Sequence, residues 1–202
     1  MRHGQHGTLL AALILTGVRL PATAGGQDGA RPTAHRTQTK EAHMHATTQI
    51  GIPESMRIEH AEIHDELVRA TKMPGPVGDA ARELAKILHP HFVREEEIAL
   101  PPLGLLAPLA RGELTPEMHE VLVMTDSLRA ELPRMLEEHQ AIRTATVRLG
   151  DVARAQHNDE VTHLARKLEL HARSEEELFY PAAVLVGDLV RARLQTRARG
   201  EV

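Results

Sequence analysis

Apolar residues recur three, four and seven positions apart along most of the chain after residue 50, which is the period of an amphipathic helix. Proline- and glycine-rich breaks divide this pattern, and Pro90 inside one segment predicts a local kink. No stretch alternates as a strand would, so the pattern predicts an all-α fold. Its four long helices are expected at about 54–73, 78–100, 133–149 and 158–180.

Two further helical pieces follow from the positions of proline. Thr115 and the proline after it form a helix start, but one helix from there to Leu149 would be about 50 Å long and would overshoot the first helix. We therefore predict a short extra helix that ends near Pro133, before the third long helix. Pro181 predicts either a kink or the start of a C-terminal helical extension to Leu194.

A histidine–glutamate pattern occurs twice in the chain. Each copy contains Glu-His-x-x-Ile, then His-x-x-x-Glu-Glu-Glu, then a proline. The copies are offset by 79 residues in the first element and by 80 in the second, so the extra residue falls between helices. This duplication predicts two pseudo-symmetric helix hairpins. The repeated residues are Glu59, His60, Ile63, His91, Glu95 and Pro101, matched by Glu138, His139, Ile142, His171, Glu175 and Pro181.

Each His-x-x-x-Glu pair lies in an apolar stripe that should face the core. Burying an unpaired carboxylate costs several kcal/mol, so two inward glutamates at matching positions call for a shared cation. Core salt bridges between histidine and glutamate are the alternative, and the duplication favours metal over them. The stripes are Leu84, Leu88, His91, Glu95, Ile98 and Leu164, Leu168, His171, Glu175, Leu178.

Composition narrows the chemistry further. The 202 residues include no Cys or Trp, one Tyr and two Phe, and the net charge is −4. A metal could therefore bind only through nitrogen and oxygen ligands. Without a basic stripe that carries aromatic residues, nucleic acid is not expected as a partner.

The amino terminus resembles an export signal. The apolar run from Leu9 to Val18 is too short to span a bilayer, and Ala22-Thr23-Ala24 follows as a cleavage pattern. We predict a signal peptide at 1–24, a disordered linker at 25–50, a metal-binding domain at 51–195 and a frayed tail at 196–202. The protein would then be exported (periplasmic or secreted), with no membrane contact after cleavage. An uncleaved anchor or a misassigned start codon is the alternative.

The order of the repeated histidines and glutamates resembles the hemerythrin-like family, also called HHE cation-binding domains, over about Ile52 to Val190. The resemblance implies an up-down-up-down four-helix bundle with two iron ions, bridged by Glu95, Glu175 and an oxo or hydroxo group. Ligand type alone also permits manganese or zinc. The terminal ligands that the resemblance implies are His60, His91, His139 and His171.

The chain departs from the oxygen-carrying hemerythrins, which have a fifth histidine on one helix. Arg143 stands four residues after His139 and cannot bind a metal. His64, four residues after His60, is expected to supply the fifth imidazole from the pseudo-symmetric position; the alternative is a partly buried histidine near the site. Tyr180 is expected to pack near the site, or else to donate to a bound oxygen species.

Three functions fit this reading. The first is a non-haem di-iron protein that binds or senses dioxygen or a related diatomic such as nitric oxide. The second is a di-iron oxidase or peroxidase, and the third is an exported iron-handling or storage protein. Whether the chain is an enzyme, and its oligomeric state, are left open by the sequence.

Overall fold

A computed structural model describes residues 50–200, and this part of the chain is helical without a β-strand. The predicted signal peptide, and all of the predicted linker but its last residue, lie outside the described residues. Short 3₁₀ segments lie at Pro101–Leu105 and Pro116–Glu120, and a π-helical segment, Glu175–Phe179, joins the last two α-helices. The α-helices are α1 (Glu54–Thr71), α2 (Gly75–Ile98), α3 (Leu106–Ala110), α4 (Val121–Ala155), α5 (Asp159–Ser174) and α6 (Tyr180–Ala198).

Local sequence accounts for where these helices begin and end. α1 follows Pro53 and stops before Pro74, and the next residue, Gly75, has a φ of 70°, which glycine adopts without strain. α5 begins at a true cap, because the Asn158 side chain accepts a 3.0 Å hydrogen bond from the Val161 N–H. The chain thus turns sharply between α1 and α2 and between α4 and α5.

The four long helical stretches pack in a ring. α1 contacts α2 and α5, and α4 contacts the same two helices from the other side. α6 continues from α5 and packs along the N-terminal half of α4. The described residues therefore form a helical bundle, as the sequence predicts.

Among the described residues there are three apolar clusters, and a layer of histidines and glutamates separates two of them. The first apolar cluster includes Ile63, Leu88, Ile142 and Leu168; the second includes Met56, Ile98, Met135 and Tyr180. Along the sequence, each inward histidine lies between a residue of the first apolar cluster and a residue of the second. These neighbours are Met56 and Ile63 around His60, Leu88 and Ile98 around His91, Met135 and Ile142 around His139, and Leu168 and Tyr180 around His171.

The prediction of a separate short helix ending near Pro133 is wrong, because α4 runs unbroken through that residue. Pro133 has no N–H, so the carbonyl of Arg129, four residues earlier, loses its helical hydrogen bond. Both residues are exposed, so water can bind this carbonyl instead. The extra length of α4 is covered by α6. The two helices approach so closely that a Cβ at Gly187 would overlap Thr125.

Other boundaries also differ from the predictions. α4 continues past Gly150 to Ala155, and α6 reaches Ala198, so the predicted tail is helical over its first three residues. Pro90 lies on the exposed face of α2, which stays helical through it. Among the described residues, no helix combines the length and the apolar character that crossing a membrane requires.

Candidate metal centre

Four histidines meet in the middle of the bundle, one each from α1, α2, α4 and α5. All four are at most 3% exposed. Each helix brings its histidine inward because apolar residues three to five positions away on the same face are buried in the two clusters. The four are His60, His91, His139 and His171.

Two glutamates join them, and the backbone bends in the same way at both. Glu95 and Glu175 are 0% exposed. The Glu95 carbonyl accepts the N–H of Leu100 as well as that of Ala99, and the Glu175 carbonyl accepts that of Tyr180, so each glutamate opens a π turn. A proline follows each turn and lacks the N–H that would close an ordinary α-turn.

The π turn after Glu175 changes which side chain faces inward. Leu178, expected in the buried stripe, is 61% exposed, whereas Tyr180 is 1% exposed. A π turn advances the chain by less rotation per residue than an α-turn, so the inward position moves along the chain. This displacement brings a phenol to the histidine layer.

The six side chains form two groups of possible metal donors, and both glutamates belong to both groups. Within each group the ligand atoms lie within 4.8 Å of one another. One group is His60, His171, Glu95 and Glu175; the other is His91, His139, Glu95 and Glu175.

Each carboxylate directs one oxygen toward each group. Glu175 Oε1 lies 3.0 Å from His171 Nε2 and 3.6 Å from His60 Nε2, while its Oε2 lies 3.4 Å from His139 Nε2. Glu95 Oε1 lies 3.1 Å from His91 Nε2, and its Oε2 lies 3.9 Å from His60 Nε2. This division of oxygens suits a carboxylate that bridges two cations.

Most of the histidine Nε2 atoms and carboxylate oxygens in this layer have no hydrogen-bond partner among the described residues. An unpaired buried polar atom costs about 1–3 kcal/mol, and more if charged, so several in one place require explanation. Cations bound in this layer would satisfy these atoms, because each atom carries a lone pair directed into the same small space. The atoms are His60 Nε2, His91 Nε2, His171 Nε2, Glu95 Oε2, Glu175 Oε1 and Glu175 Oε2.

An outer ring of four carboxylates faces the other nitrogen of every histidine, each from a neighbouring helix. We call these four residues the outer carboxylates; all are partly exposed. The Nδ1–carboxylate distances are 3.1 Å for His60–Glu96, 2.9 Å for His91–Glu138, 2.8 Å for His139–Glu176 and a longer 3.4 Å for His171–Glu59.

The outer carboxylates determine which nitrogen can bind a metal. A carboxylate only accepts hydrogen bonds, so it holds a proton on the Nδ1 that faces it. In the neutral imidazole this leaves the lone pair on Nε2, which points inward. Carboxylate–histidine pairs of this kind orient the ligands of protein metal sites.

Protonation of the metal-free chain reflects the excess of carboxylates. Burial opposes protonation of His139, but Glu175 and Glu95 outweigh it and raise the pKa of His139 to about 9. In the same way the charge of Glu175 outweighs burial and raises the pKa of His171 to about 10. Burial likewise opposes ionisation of Glu175, yet the neighbouring histidines hold its pKa well below the usual value.

The aromatic surroundings differ between the two groups. The Phe92 ring stacks on His60 with centroids 4.1 Å apart and meets His171 edge-on at 5.4 Å. On the other side Tyr180 stacks on His139 at 5.5 Å, and its hydroxyl donates a short hydrogen bond to Glu95. Burial and the charge of Glu95 raise the pKa of Tyr180 far above its usual value.

Six of the seven residues that the sequence predicts as ligands come together in this layer. The seventh, His64, does not join them. Its side chain is 54% exposed, and its ring lies 6.3 Å from that of His89, measured between centroids. One turn along α1 from His60, the helix face has rotated enough to direct His64 out of the bundle. The expected fifth imidazole is therefore absent from the cluster.

The sequence did not predict the contacts that the outer carboxylates make with the buried histidines. Glu96 and Glu176 lie off the apolar stripes, where the sequence predicts solvated charges or, for one of them, a contact that supports a metal ligand. The duplication carried a usable signal, however, because Glu59 and Glu138 precede the first histidine of each copy. What the sequence lacks is the pairing, since each contact joins residues on different helices.

Comparisons with protein-family models, with curated proteins and with solved structures found no match to this chain. The described part of the chain is therefore characterised from its own structure. It is a helical bundle with a buried histidine–glutamate cluster that could hold a metal ion.

Proposed function

We propose that this chain is a hemerythrin-like, non-haem di-iron protein that binds or senses dioxygen or a related diatomic such as nitric oxide. One observation carries the proposal: two buried donor groups share both glutamates, and each glutamate directs a different oxygen to each group. A single ion would use one group and leave the other unpaired. Two ions use both.

The donor set supports iron without requiring it. Imidazole and carboxylate nitrogen and oxygen atoms suit iron, manganese and zinc alike. The preference for iron rests on the resemblance of the ligand order to hemerythrin-like proteins. The proposed export of the protein rests on residues 1–24 alone.

The distribution of the two apolar clusters supports an up-down-up-down path. α1 passes from the second cluster to the first, since Met56 precedes Ile63, and α2 passes back, since Leu88 precedes Ile98. α4 and the stretch from α5 into α6 repeat the same alternation. Antiparallel neighbours are also what the short connections between these helices favour.

The chain's own residues prepare a dry, oriented site. The apolar clusters on either side of the layer keep water away, and the outer carboxylates hold the imidazoles with Nε2 inward. Six donors are few for two iron ions, so positions remain open for a small ligand. A bound ferrous pair would supply the electrons that dioxygen needs.

The exposure of His64 favours a second candidate, a di-iron oxidase or peroxidase. With four imidazoles rather than five, more positions stay open, and consumption of oxygen or peroxide becomes competitive with reversible binding. Peroxide turnover by the iron-loaded protein, absent in an E95A variant, would identify this activity.

The deciding experiment follows the absorption spectrum of the protein, loaded with ferrous iron under argon, as oxygen is admitted and then withdrawn. Colour that appears with oxygen and fades on its removal supports the carrier or sensor. Colour that persists means irreversible oxidation and supports the oxidase. A spectrum unaffected by oxygen would contradict both.

Metal content tests the bridging assignment separately. Glu95→Ala and Glu175→Ala should each abolish stoichiometric iron, because each removes a donor from both groups. Glu97→Ala and Glu177→Ala are matched controls from the same glutamate runs, outside both groups, and should retain iron. Two irons in E95A would disprove the assignment.

A further inference from the structure

The two copies of the repeat carry different side chains at the position that ends each π turn. Leu100 and Tyr180 occupy equivalent positions in the two copies. Across a π turn, the Leu100 N–H donates to the Glu95 carbonyl and the Tyr180 N–H donates to the Glu175 carbonyl. Both side chains are buried. At this position the first copy therefore carries a hydrocarbon, whereas the second carries a phenol that contacts His139.

The phenol oxygen lies among the donor atoms of one group only. Tyr180 OH donates to Glu95 Oε1, and it is 3.1 Å from His139 Nε2. Both of these atoms belong to the group that includes His91. In the other group, Phe92 takes the aromatic position and offers no donor atom.

The separations match those of ligands that share one ion. Ligand atoms at about 2.0–2.2 Å from a common cation lie about 2.8–3.6 Å apart when they are neighbours in octahedral or tetrahedral geometry. The Tyr180 OH to His139 Nε2 distance falls in that range, as do those from His91 Nε2 to Glu95 Oε1 (3.1 Å) and from His139 Nε2 to Glu175 Oε2 (3.4 Å). The hydroxyl is thus within ligand–ligand distance of His139 Nε2, and in the metal-free chain it is closer still to Glu95 Oε1, to which it donates its proton.

We propose that Tyr180 is an oxygen ligand of the cation held by His91, His139 and the two glutamates, so that the two metal positions are chemically unequal. The phenol proton passes to solvent when the oxygen binds. This inference rests on the proposed pair of cations. It deepens that proposal by assigning the open coordination to the other position, between His60 and His171.

Ferric iron bound to a phenolate gives a visible charge-transfer band, and excitation into it enhances the ring vibrations of the tyrosine. Imidazole and carboxylate ligands give no such ring modes. The experiment therefore records iron content and resonance Raman spectra of the air-oxidised, iron-loaded full chain and of Tyr180→Phe. That substitution removes one oxygen atom and keeps the ring that packs on His139.

The expected result is two irons per chain in the unaltered protein, with tyrosinate ring modes that Y180F lacks. Phe92→Leu is the matched aromatic variant in the other half, and it should keep those modes. Two irons without ring modes would overturn the assignment of Tyr180 and leave the di-iron proposal standing. A folded protein, checked by circular dichroism, that retains no iron would overturn both.

Zinc binding provides a readout that does not depend on colour. In the unaltered chain, two zinc ions are expected to bind with different affinities. Y180F should weaken one of the two by about tenfold or more and leave the other unchanged. Equal loss at both positions would show that Tyr180 acts only by holding the shared Glu95, and would contradict its role as a ligand of one ion.

Discussion

The two nitrogens of each buried imidazole face different partners. Nε2 points at the shared glutamates, and Nδ1 points at an outer carboxylate on a neighbouring helix. A substitution that affects the first contact removes a ligand, whereas one that affects the second only loosens a ligand. Predictions at the scale of single residues separate these two effects.

Ligand identity is tested by two histidines on the same face of α1. His60→Gln should lower the metal content, because His60 Nε2 points into the cluster with no other hydrogen-bond partner. His64→Gln should keep full metal content, since its side chain is exposed. Metal analysis after desalting measures both. Equal loss in the two variants would mean that His64 is a ligand after all.

The outer carboxylates should matter for affinity but not for stoichiometry. Glu138→Gln removes the charge that holds the proton on His91 Nδ1 and should weaken metal binding about 10- to 100-fold. Glu137→Gln, at the exposed neighbouring position, is the control and should bind normally. Competition with a chelator of known affinity measures the difference. An unchanged affinity in E138Q would show that the outer contact is incidental.

Metal binding should become tighter as the pH rises through neutrality. In the metal-free chain the pKa of His139 is raised to about 9 and that of His171 to about 10, so both imidazoles carry an extra proton at neutral pH. A cation must displace these protons, and each one makes the affinity increase about tenfold per pH unit. Zinc titrations in buffers of different ionisation enthalpy count the protons released. An affinity independent of pH would contradict this.

At the scale of secondary structure, proline has opposite effects in different places. Pro101 and Pro181 follow the two π turns that position the centre, and both turns end at residues buried in the core. Pro133 and Pro90 instead lie on exposed helix faces, where water can replace the lost hydrogen bond. A helix can therefore continue through a proline where water reaches the freed carbonyl, but exposure of the proline does not decide this alone, because Pro181 is exposed as well.

Pro133→Ala should stabilise the bundle. Alanine restores the hydrogen bond to Arg129 within α4 and has a higher helix propensity, so the free energy of unfolding should rise by about 1–3 kcal/mol. Metal content should not change, because Pro133 contributes no donor. Urea unfolding of the metal-free protein measures the effect. A loss of stability would mean that the proline shapes α4 in a way the core needs.

In the whole molecule, the candidate metal centre is built from residues of four helices and of the segment after α5. Each helix supplies one imidazole, and the glutamates come from α2 and from the segment after α5. In the absence of metal, the layer holds buried groups without partners between two apolar clusters. Metal and fold should therefore be strongly linked.

Removing the metal should lower the melting temperature substantially. A ligand that binds only the folded state, at a free concentration about 1,000 times its Kd, adds about 4 kcal/mol of stability. For a domain of this size that corresponds to roughly 10 °C. Calorimetry with and without a chelator measures the shift, and E95A serves as the control that should not respond to added metal. A chelator-insensitive melting temperature in the parent chain would contradict the linkage.

Local sequence patterns were enough to predict the helical fold and the six residues that meet in the histidine–glutamate layer. Helical periodicity is local, so the apolar stripes placed His91 with Glu95 and His171 with Glu175 on inward faces. The duplication then supplied His60 and His139 by analogy. These inferences required no knowledge of which helices are neighbours.

The packing of the helices in the folded chain shows how those residues combine. It pairs His60 with His171 and His91 with His139, turns His64 outward, and brings Glu138 to His91 from another helix. The physical reason is that such contacts depend on the rotation of each helix about its axis and on its packing partner. Both are set by the whole core rather than by any local run of residues.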